Sequence, residues 1–335
     1  MKSFLFYHAT SQASVVIITI ALMLFTGYLM TRITRKFKLP NVTGYILAGI
    51  LMGPYCLDMV PVKVIDGMDF LSDIALAFIA FSTGEFFRFS VLKKNGWKVV
   101  VITVMEAVLG SVCVFAVVYG VLHLNLPFSI VLAALASATA PASTIMTIRQ
   151  TGAKGDFVDT LLQVVALDDV VGLVEYSAAI SIALAALSGG GFQVGNILKP
   201  IFVNGAVLVL GGIFGWLLKC MMPKKKYKDN RLIISVAALF AFCGICSLAD
   251  VSPLLGCMSM GTIYINLSDD DKLFKQLNYF SPPILLLFFV RSGLSFRLDA
   301  LLNPSAGEDG ASLLVIGVAY FLTRIIGKYA GAYLG

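Results

Sequence analysis

Long apolar stretches dominate the chain, and short polar or charged segments separate them. The stretches approach or exceed the roughly 20 residues that a helix needs to cross the hydrocarbon core of a bilayer. The pattern predicts eleven membrane-spanning helices and therefore an all-α polytopic membrane protein. The predicted spans cover residues 14–31, 39–57, 68–87, 97–122, 128–148, 157–187, 200–221, 231–249, 252–267, 276–294 and 311–333.

Composition supports a membrane protein and excludes an ordinary soluble domain. Apolar residues make up 59% of the 335 and charged residues 13%, against about 45–50% and about 25% in soluble domains. The six cysteines lie in or at the ends of apolar stretches without other ligand-type side chains, so we expect no metal centre or other cofactor. The first apolar run lacks a signal-peptide cleavage site and is predicted as a retained span.

The basic residues are distributed unevenly between alternate loops. One set of loops holds eighteen of the 25 Lys and Arg residues and the other set holds four. The positive-inside rule places the richer set in the cytoplasm. We therefore predict a multi-pass protein of the cell (inner or plasma) membrane with its N-terminus outside. The net charge of +6 follows from this topology and does not indicate a nucleic-acid partner; membrane lipid is the expected surrounding.

The two halves of the chain carry similar patterns of Pro and Gly. Span 2 opens at Leu39-Pro40 and continues to Gly49, and span 9 opens at Ser252-Pro253 and continues to Gly261. Similar short motifs also lie near the ends of span 3 and span 10, namely Phe81-Ser82-Thr83-Gly84-Glu85 and Phe289-Val290-Arg291-Ser292-Gly293. Because spans 2 and 9 run in opposite directions in the predicted topology, we predict an inverted repeat, which recurs among secondary transporters. The alternative is that the two halves share their pattern of Pro and Gly by chance.

The repeat divides a single transmembrane transporter domain into three parts. Residues 1–190 form the first repeat with spans 1–6, residues 191–229 form a linker with span 7, and residues 230–335 form a second repeat with spans 8–11. The second repeat has no counterparts of spans 5 and 6. We therefore expect a C-terminally truncated chain with eleven of thirteen spans.

Span 6 contains two adjacent carboxyl groups, Asp168 and Asp169, in an apolar helix. A charge at the centre of a membrane helix costs about 2.5–3.5 kcal/mol on insertion scales, so such a residue is a functional candidate by default. Neighbours on a helix point about 100° apart, so the two carboxyls cannot share one proton face to face. Each is expected to have its own partner.

Span 5 contains a predicted helix break at Ser137-Ala138-Thr139-Ala140-Pro141. Pro141 lacks an N–H group and displaces the carbonyl of Ser137, four residues earlier. Freed carbonyls and the Thr139 hydroxyl would then offer oxygen ligands near mid-membrane, where irregular backbone is tolerated only in a cavity or inside protein. The alternative is a kinked packing helix whose Ser and Thr bond their own backbone.

Further charged residues lie inside the predicted spans. Arg324 and Lys328 are four residues apart on one face of span 11 and are expected to act as charge partners, with snorkelling toward the cytoplasmic end as the alternative. Glu175 lies seven residues after Asp168 and is either an auxiliary carboxyl or part of an outer vestibule. For Glu106 the sequence indicates only pairing with another charge. Arg291 is expected to pair with another charge as well, and it is a further candidate for an auxiliary residue of the ion site.

Several of these motifs together resemble the monovalent cation:proton antiporter superfamily, on the branch of bacterial sodium/proton exchangers and Kef-type potassium efflux systems. The resemblance covers nearly the whole chain. It rests on Leu39-Pro40 through Gly44 to Gly53-Pro54, Thr139-Ala140-Pro141, Asp168-Asp169, Ser252-Pro253 with Gly256, Phe288-Phe289 with Gly293, and Arg324 through Gly327-Lys328.

The resemblance implies the inverted-repeat sodium/proton antiporter fold, with a broken helix in the core bundle and a dimerisation panel, and hence a homodimer. It also implies roles for three residues: Asp169 as the ion-binding aspartate, Asp168 as the partner of a basic residue in span 11, and Thr139 as a residue of the helix break. Arg291 departs from the family pattern, since a small or polar residue is expected there.

These observations predict a secondary active antiporter rather than an enzyme. We expect it to exchange protons for Na⁺ or Li⁺ by alternating access, electrogenically, with Asp169 and Asp168 as the monovalent-cation ligands. Release of Asp168 from Lys328 on cation entry is part of this expectation. The alternatives are a K⁺/proton antiporter of Kef type, a sodium-coupled organic anion symporter, an inactive truncated fragment, and an intramembrane enzyme with the two aspartates as acid and base.

Overall fold

The computed structural model describes residues 11–139, 141–188, 195–222, 228–302 and 312–335, and within them it contains helices and no strands. The helices are α1 (Gln12–Lys36), α2 (Asn41–Met52), α3 (Val62–Asp66), α4 (Asp69–Gly84), α5 (Phe89–Phe115), α6 (Leu126–Ser137), α7 (Pro141–Thr151), α8 (Asp156–Ser188), α9 (Gly195–Met221), α10 (Lys228–Leu248), α11 (Leu254–Ser268), α12 (Asp271–Phe280), α13 (Pro282–Leu294), α14 (Leu298–Leu302) and α15 (Leu313–Leu334). A π-helical segment, Ala116–Val121, continues α5.

Many of these helices have the length and apolar character of membrane spans. Six qualify singly, namely α1, α5 with its π-helical continuation, α8, α9, α10 and α15, and α12 with α13 forms a pair bent by 50°. Large side chains on them, such as Phe25, Phe202 and Phe321, are more than half exposed, as expected where hydrocarbon surrounds the helices. The protein is therefore a multi-pass helical membrane protein. Each predicted span falls on a helix or a consecutive pair, while the number of crossings stays a prediction.

The chain divides into two compact units that interleave along the sequence. The first unit comprises residues 1–85, 142–153 and 211–298, and the second comprises residues 86–141, 154–210 and 299–335. Each unit thus takes segments from both halves of the chain. The repeat boundaries proposed from the sequence describe a different division and stay a prediction.

Pairs of glycines bring helices of the first unit into close contact. A Cβ atom on Gly49 of α2 would lie 2.8 Å from the Gly293 Cα of α13. A Cβ atom on Gly84 of α4 would lie 2.7 Å from the Gly261 carbonyl carbon of α11. An axis that exchanges α2 with α11 and α4 with α13 would convert one contact into the other. This is the pairing that an inverted repeat would produce.

Span 5 is broken rather than kinked. Helix α6 ends at Ser137, Ala138 is extended (φ −72°, ψ 142°), and α7 begins at Pro141. Proline suits the first position of a helix, because its missing N–H would be unpaired there in any case. The Ser137 hydroxyl donates to the Ala134 carbonyl at 2.7 Å. Ala140, also assigned to the break from the sequence, lies outside the described residues.

We expect Gly84→Leu to destabilise the protein, because the new side chain would collide with the backbone of α11. Its Cβ atom alone would lie 2.5 Å from the Thr262 nitrogen. Overpacking of this kind costs about 1–3 kcal/mol. Thermal unfolding in detergent should show a lower melting temperature. Gly244→Leu in α10 is the matched control, since nothing lies within 4 Å of its added Cβ. Equal melting temperatures for both variants would contradict the close packing of α4 and α11.

Candidate functional site

The adjacent aspartates lie near the middle of α8 in the second unit. Asp168 is fully buried, at 0% exposure, whereas Asp169 is only partly buried. Because neighbouring side chains on a helix diverge by about 100°, the two carboxylates face different surroundings. The structure therefore separates them into an interior carboxylate and one that retains some exposure.

Asp168 belongs to a cluster of three charged groups, Glu106, Asp168 and Lys328, which we call the charged cluster. The Lys328 ammonium of α15 donates to Asp168 Oδ2 at 2.8 Å and to Glu106 Oε1 of α5 at 3.0 Å. The Lys328 and Glu106 side chains are only 12% and 14% exposed. A buried charge is expensive unless a partner of opposite sign compensates it. Here one ammonium bridges two carboxylates from two other helices.

Glycines allow α5 and α15 to approach closely enough to form the charged cluster. A Cβ on Gly327 would lie 2.8 Å from the Leu109 carbonyl oxygen. A Cβ on Gly110 would lie 3.1 Å from Lys328 Cγ, so the lysine side chain passes over this bare position. Small residues permit such close approach of membrane helices. Gly331, one turn beyond Gly327, likewise lies against the Glu106 backbone.

Arg324 lies at the helix break rather than on a carboxylate. Its guanidinium donates to the carbonyl oxygens of Ala138 at 2.7 Å and Ala136 at 3.0 Å. The last carbonyls of a helix have no partner within the helix and form its negative end. From the sequence, Arg324 was expected to act as a charge partner, but within the described part of the chain its hydrogen bonds go to carbonyls at the end of α6 and just after it. Two of the carbonyls freed by the break are therefore already bonded.

The break lies directly against α8 near the aspartates. A Cβ on Gly172 would lie 2.7 Å from the Ala138 Cβ and 3.1 Å from the Ser137 hydroxyl oxygen. Gly172 is three residues after Asp169, so the break contacts the turn that follows the aspartates. Thr139 comes next to Ala138 in the chain and is partly buried. Its part in ion binding stays a prediction.

Glu175 lies apart from the charged cluster. It is seven residues after Asp168, or about 10 Å farther along the helix axis. Its Oε2 accepts a hydrogen bond from the Ser111 hydroxyl at 2.5 Å, and its buried Oε1 has no hydrogen-bond partner among the described residues. It borders a largely apolar cavity of about 310 Å³ that Phe115 and Ile130 also line. An auxiliary role for Glu175 stays a prediction.

Arg291 belongs to the first unit and pairs there with another charge. Its guanidinium contacts the Asp69 carboxylate at the start of α4 and donates to the Ser72 hydroxyl at 3.2 Å. This ion pair explains how a large charged residue is accommodated near the end of α13. An auxiliary role for Arg291 in ion binding stays a prediction.

From the sequence, only pairing with another charge was expected of Glu106, and the structure identifies Lys328 as its partner. The partners are 222 residues apart in sequence, and no local spacing connects them. One signal was present: a carboxyl inside an apolar span requires a buried cation, and span 11 supplies Lys328.

We expect Lys328→Met to be strongly destabilising, because it leaves two buried carboxylates without their cation. Removing one member of a buried ion pair typically costs about 3–5 kcal/mol. Thermal unfolding in detergent measures the loss, and Lys272→Met on the exposed surface of α12 is the control. A melting temperature for Lys328→Met equal to that of the control would refute the compensating role of Lys328.

Comparisons with known proteins give the chain its family. The model of the family described as "Sodium/hydrogen exchanger, transmembrane" matches residues 20–335. The protein is 26% identical to Na(+)/H(+) antiporter 1 of Methanocaldococcus jannaschii over 345 aligned positions, which cover 93% of this chain and 75% of the relative. It is 26% identical to the Na(+)/H(+) antiporter NhaS4 of Synechocystis sp., over 95% of this chain and 80% of that protein.

Another relative has a different printed name. The iron transporter MagA of Paramagnetospirillum magneticum is 24% identical over 80% of this chain and 60% of its own length. Among solved structures, the sodium proton antiporter MjNhaP1 from Methanocaldococcus jannaschii at pH 8 has a TM-score of 0.71 and 20% identity, over 96% of this chain and 79% of that chain. This similarity confirms the antiporter fold, and the family is one of exchangers rather than enzymes. With a family model that matches nearly its full length, the chain belongs to the transmembrane sodium/hydrogen exchanger family.

Proposed function

We propose that the protein is a secondary active antiporter that exchanges protons for sodium ions across the cytoplasmic membrane, with Asp169 as the exchanging carboxylate. The observation that carries this proposal is the difference between the two aspartates. Asp168 is fully buried and paired with Lys328, whereas its neighbour lies outside that ion pair and is only partly buried. A partly buried carboxylate is stabilised by either a proton or a cation, because each compensates its negative charge.

The oxygen chemistry near α8 suits a hard monovalent cation. Carboxylate oxygens of Asp169 and Asp168 and the Thr139 hydroxyl are the ligands we propose, because hard cations prefer oxygen. Asp168 Oδ1 is buried without a hydrogen-bond partner among the described residues, so this oxygen is available to a ligand. Two relatives bear the name Na(+)/H(+) antiporter, which favours Na⁺ over K⁺, with Li⁺ as a further candidate.

The proposed cycle uses both aspartates. A cation that enters at Asp169 releases Asp168 from Lys328, and protons replace the cation when the site opens to the other side. Two carboxyl groups then carry two protons for each cation, which makes the exchange electrogenic. We also propose alternating access, a homodimer and an external N-terminus for this protein.

We expect sodium to collapse a preformed pH gradient in vesicles that contain the protein, and lithium is tested in parallel. The Asp169→Asn variant should lose this response, because an amide cannot exchange a proton. A pH-sensitive dye reports the flux. Asp159→Asn is the matched control, since Asp159 lies on the same helix but is exposed.

The outcomes separate the alternatives. Loss in Asp169→Asn with retention in Asp159→Asn supports antiport through Asp169. A response to potassium alone would replace sodium by potassium as the cargo. The absence of a response to any cation from correctly inserted protein would refute the proposed antiport.

The two-proton stoichiometry has its own test. If one cation exchanges for two protons, each turnover moves one net charge, and a membrane potential is worth about 2.3 kcal/mol per elementary charge at 100 mV. An imposed potassium diffusion potential should therefore change the sodium-driven rate, and reversing its sign should reverse the effect. Turnover that is independent of voltage would contradict the electrogenic part of the proposal.

A further inference from the structure

The Lys328 ammonium is held by more negative charge than it needs. It contacts Asp168 at 2.8 Å and Glu106 at 3.0 Å, from two different helices. If the three groups are ionised, the charged cluster carries one excess negative charge. Either carboxylate alone would compensate the ammonium. The second carboxylate therefore requires a reason beyond compensation of a static lysine.

The proposed exchange supplies such a reason, because Asp168 leaves the ammonium during each cycle. A buried ammonium without a partner would then oppose every release, since an isolated buried charge costs several kcal/mol. Glu106 lies on α5, whereas Asp168 lies on α8. We infer that Glu106 is a positioning residue that holds the Lys328 ammonium in place while Asp168 is occupied by a proton or a cation. This inference rests on the proposed function.

The packing of α5 on α15 does not itself need the Glu106 carboxylate. The close approach of the two helices is made by Gly327 against the Leu109 backbone and by Gly331 against the Glu106 backbone. The neighbouring cation, Arg324, donates to the carbonyls of α6. The Glu106 carboxylate is thus directed to Lys328, as a second ion-pair partner for its ammonium.

Stability measurements test, without any transport assay, whether Glu106 is a second ion-pair partner of Lys328. Glu106→Gln and Asp168→Asn should each lower the melting temperature only slightly, because each leaves one carboxylate facing one ammonium. The double variant leaves a buried ammonium with no carboxylate, so its loss should clearly exceed the sum of the two single losses. Adding Lys328→Met to the double variant removes the unpaired charge and should recover most of that loss.

A control variant distinguishes the loss of ion-pair partners of Lys328 from a general effect of removing buried carboxyl groups. Glu175 bonds to Ser111 rather than to Lys328, so Glu175→Gln and Asp168→Asn should be additive. An additive result for Glu106→Gln and Asp168→Asn would overturn the inference. If the double variant does not fold, the triple variant still tests the inference. Failure of Lys328→Met to restore folding would contradict the role of Glu106 as a second ion-pair partner of Lys328.

Transport kinetics test the same role within the cycle. In Glu106→Gln, release of Asp168 would leave the ammonium unpaired, which should raise the apparent KM for sodium about tenfold, equivalent to ~1.4 kcal/mol, with little change in maximal rate. Glu106→Asp should restore part of the affinity. A fall in maximal rate at unchanged KM would overturn the positioning role. If the unmodified protein shows no sodium response, the proposed function fails. The melting temperatures of the variants then test on their own whether Glu106 is a second ion-pair partner of Lys328.

Discussion

An ammonium group inside a membrane protein requires negative charge beside it, and the arrangement of the second unit depends on meeting this requirement at Lys328. Three helices supply the cluster: α15 carries the cation, and α5 and α8 each carry one carboxylate. The attraction between these groups is strong only because water is largely absent, and the same absence makes each group costly alone. Removing any one group therefore changes the balance for the other two.

Helix spacing decides whether such groups can meet, and glycine sets the spacing in both units. In the second unit, Gly110 and Gly327 remove the Cβ atoms that would separate α5 from α15. In the first unit, Gly49 with Gly293 brings α2 onto α13. Apolar burial gives little drive for association between helices that are surrounded by hydrocarbon, so close packing carries more of the stability. The glycine pairs thus hold the scaffold together and bring Lys328 to Glu106.

The sequence could predict the helices, because each apolar stretch is a local property of a continuous segment. It could also predict the break in span 5, because the effect of Pro141 on the preceding turn is local and steric. The pairing of Arg324 was not predictable in the same way. A helix that ends inside the protein creates its own negative end, and the chain does not show which distant cation will occupy it until the helices are packed.

The role of Glu106 shows the same limit more clearly. Its contact with Lys328 joins residues 222 positions apart, and no periodicity within α5 or α15 encodes it. What the chain does show is the number of charges inside its apolar segments, and buried charges must find partners. Charge counting can therefore predict that Glu106 has a partner, whereas only the packed structure identifies Lys328.

The adjacency of the two aspartates explains how an ion at one of them could affect the other. A cation at Asp169 would lie close to the Lys328 ammonium that Asp168 holds, and like charges repel. At an effective dielectric constant of ~20, two unit charges ~4 Å apart interact by about 4 kcal/mol, and the energy falls in inverse proportion to their distance. Such a repulsion would favour a shift of the ammonium from Asp168 toward Glu106, and it would disappear when the cation leaves. A buried, ion-paired aspartate beside a partly buried one is thus suited to the proposed exchange, since binding and release at Asp169 would each change the neighbouring ion pair.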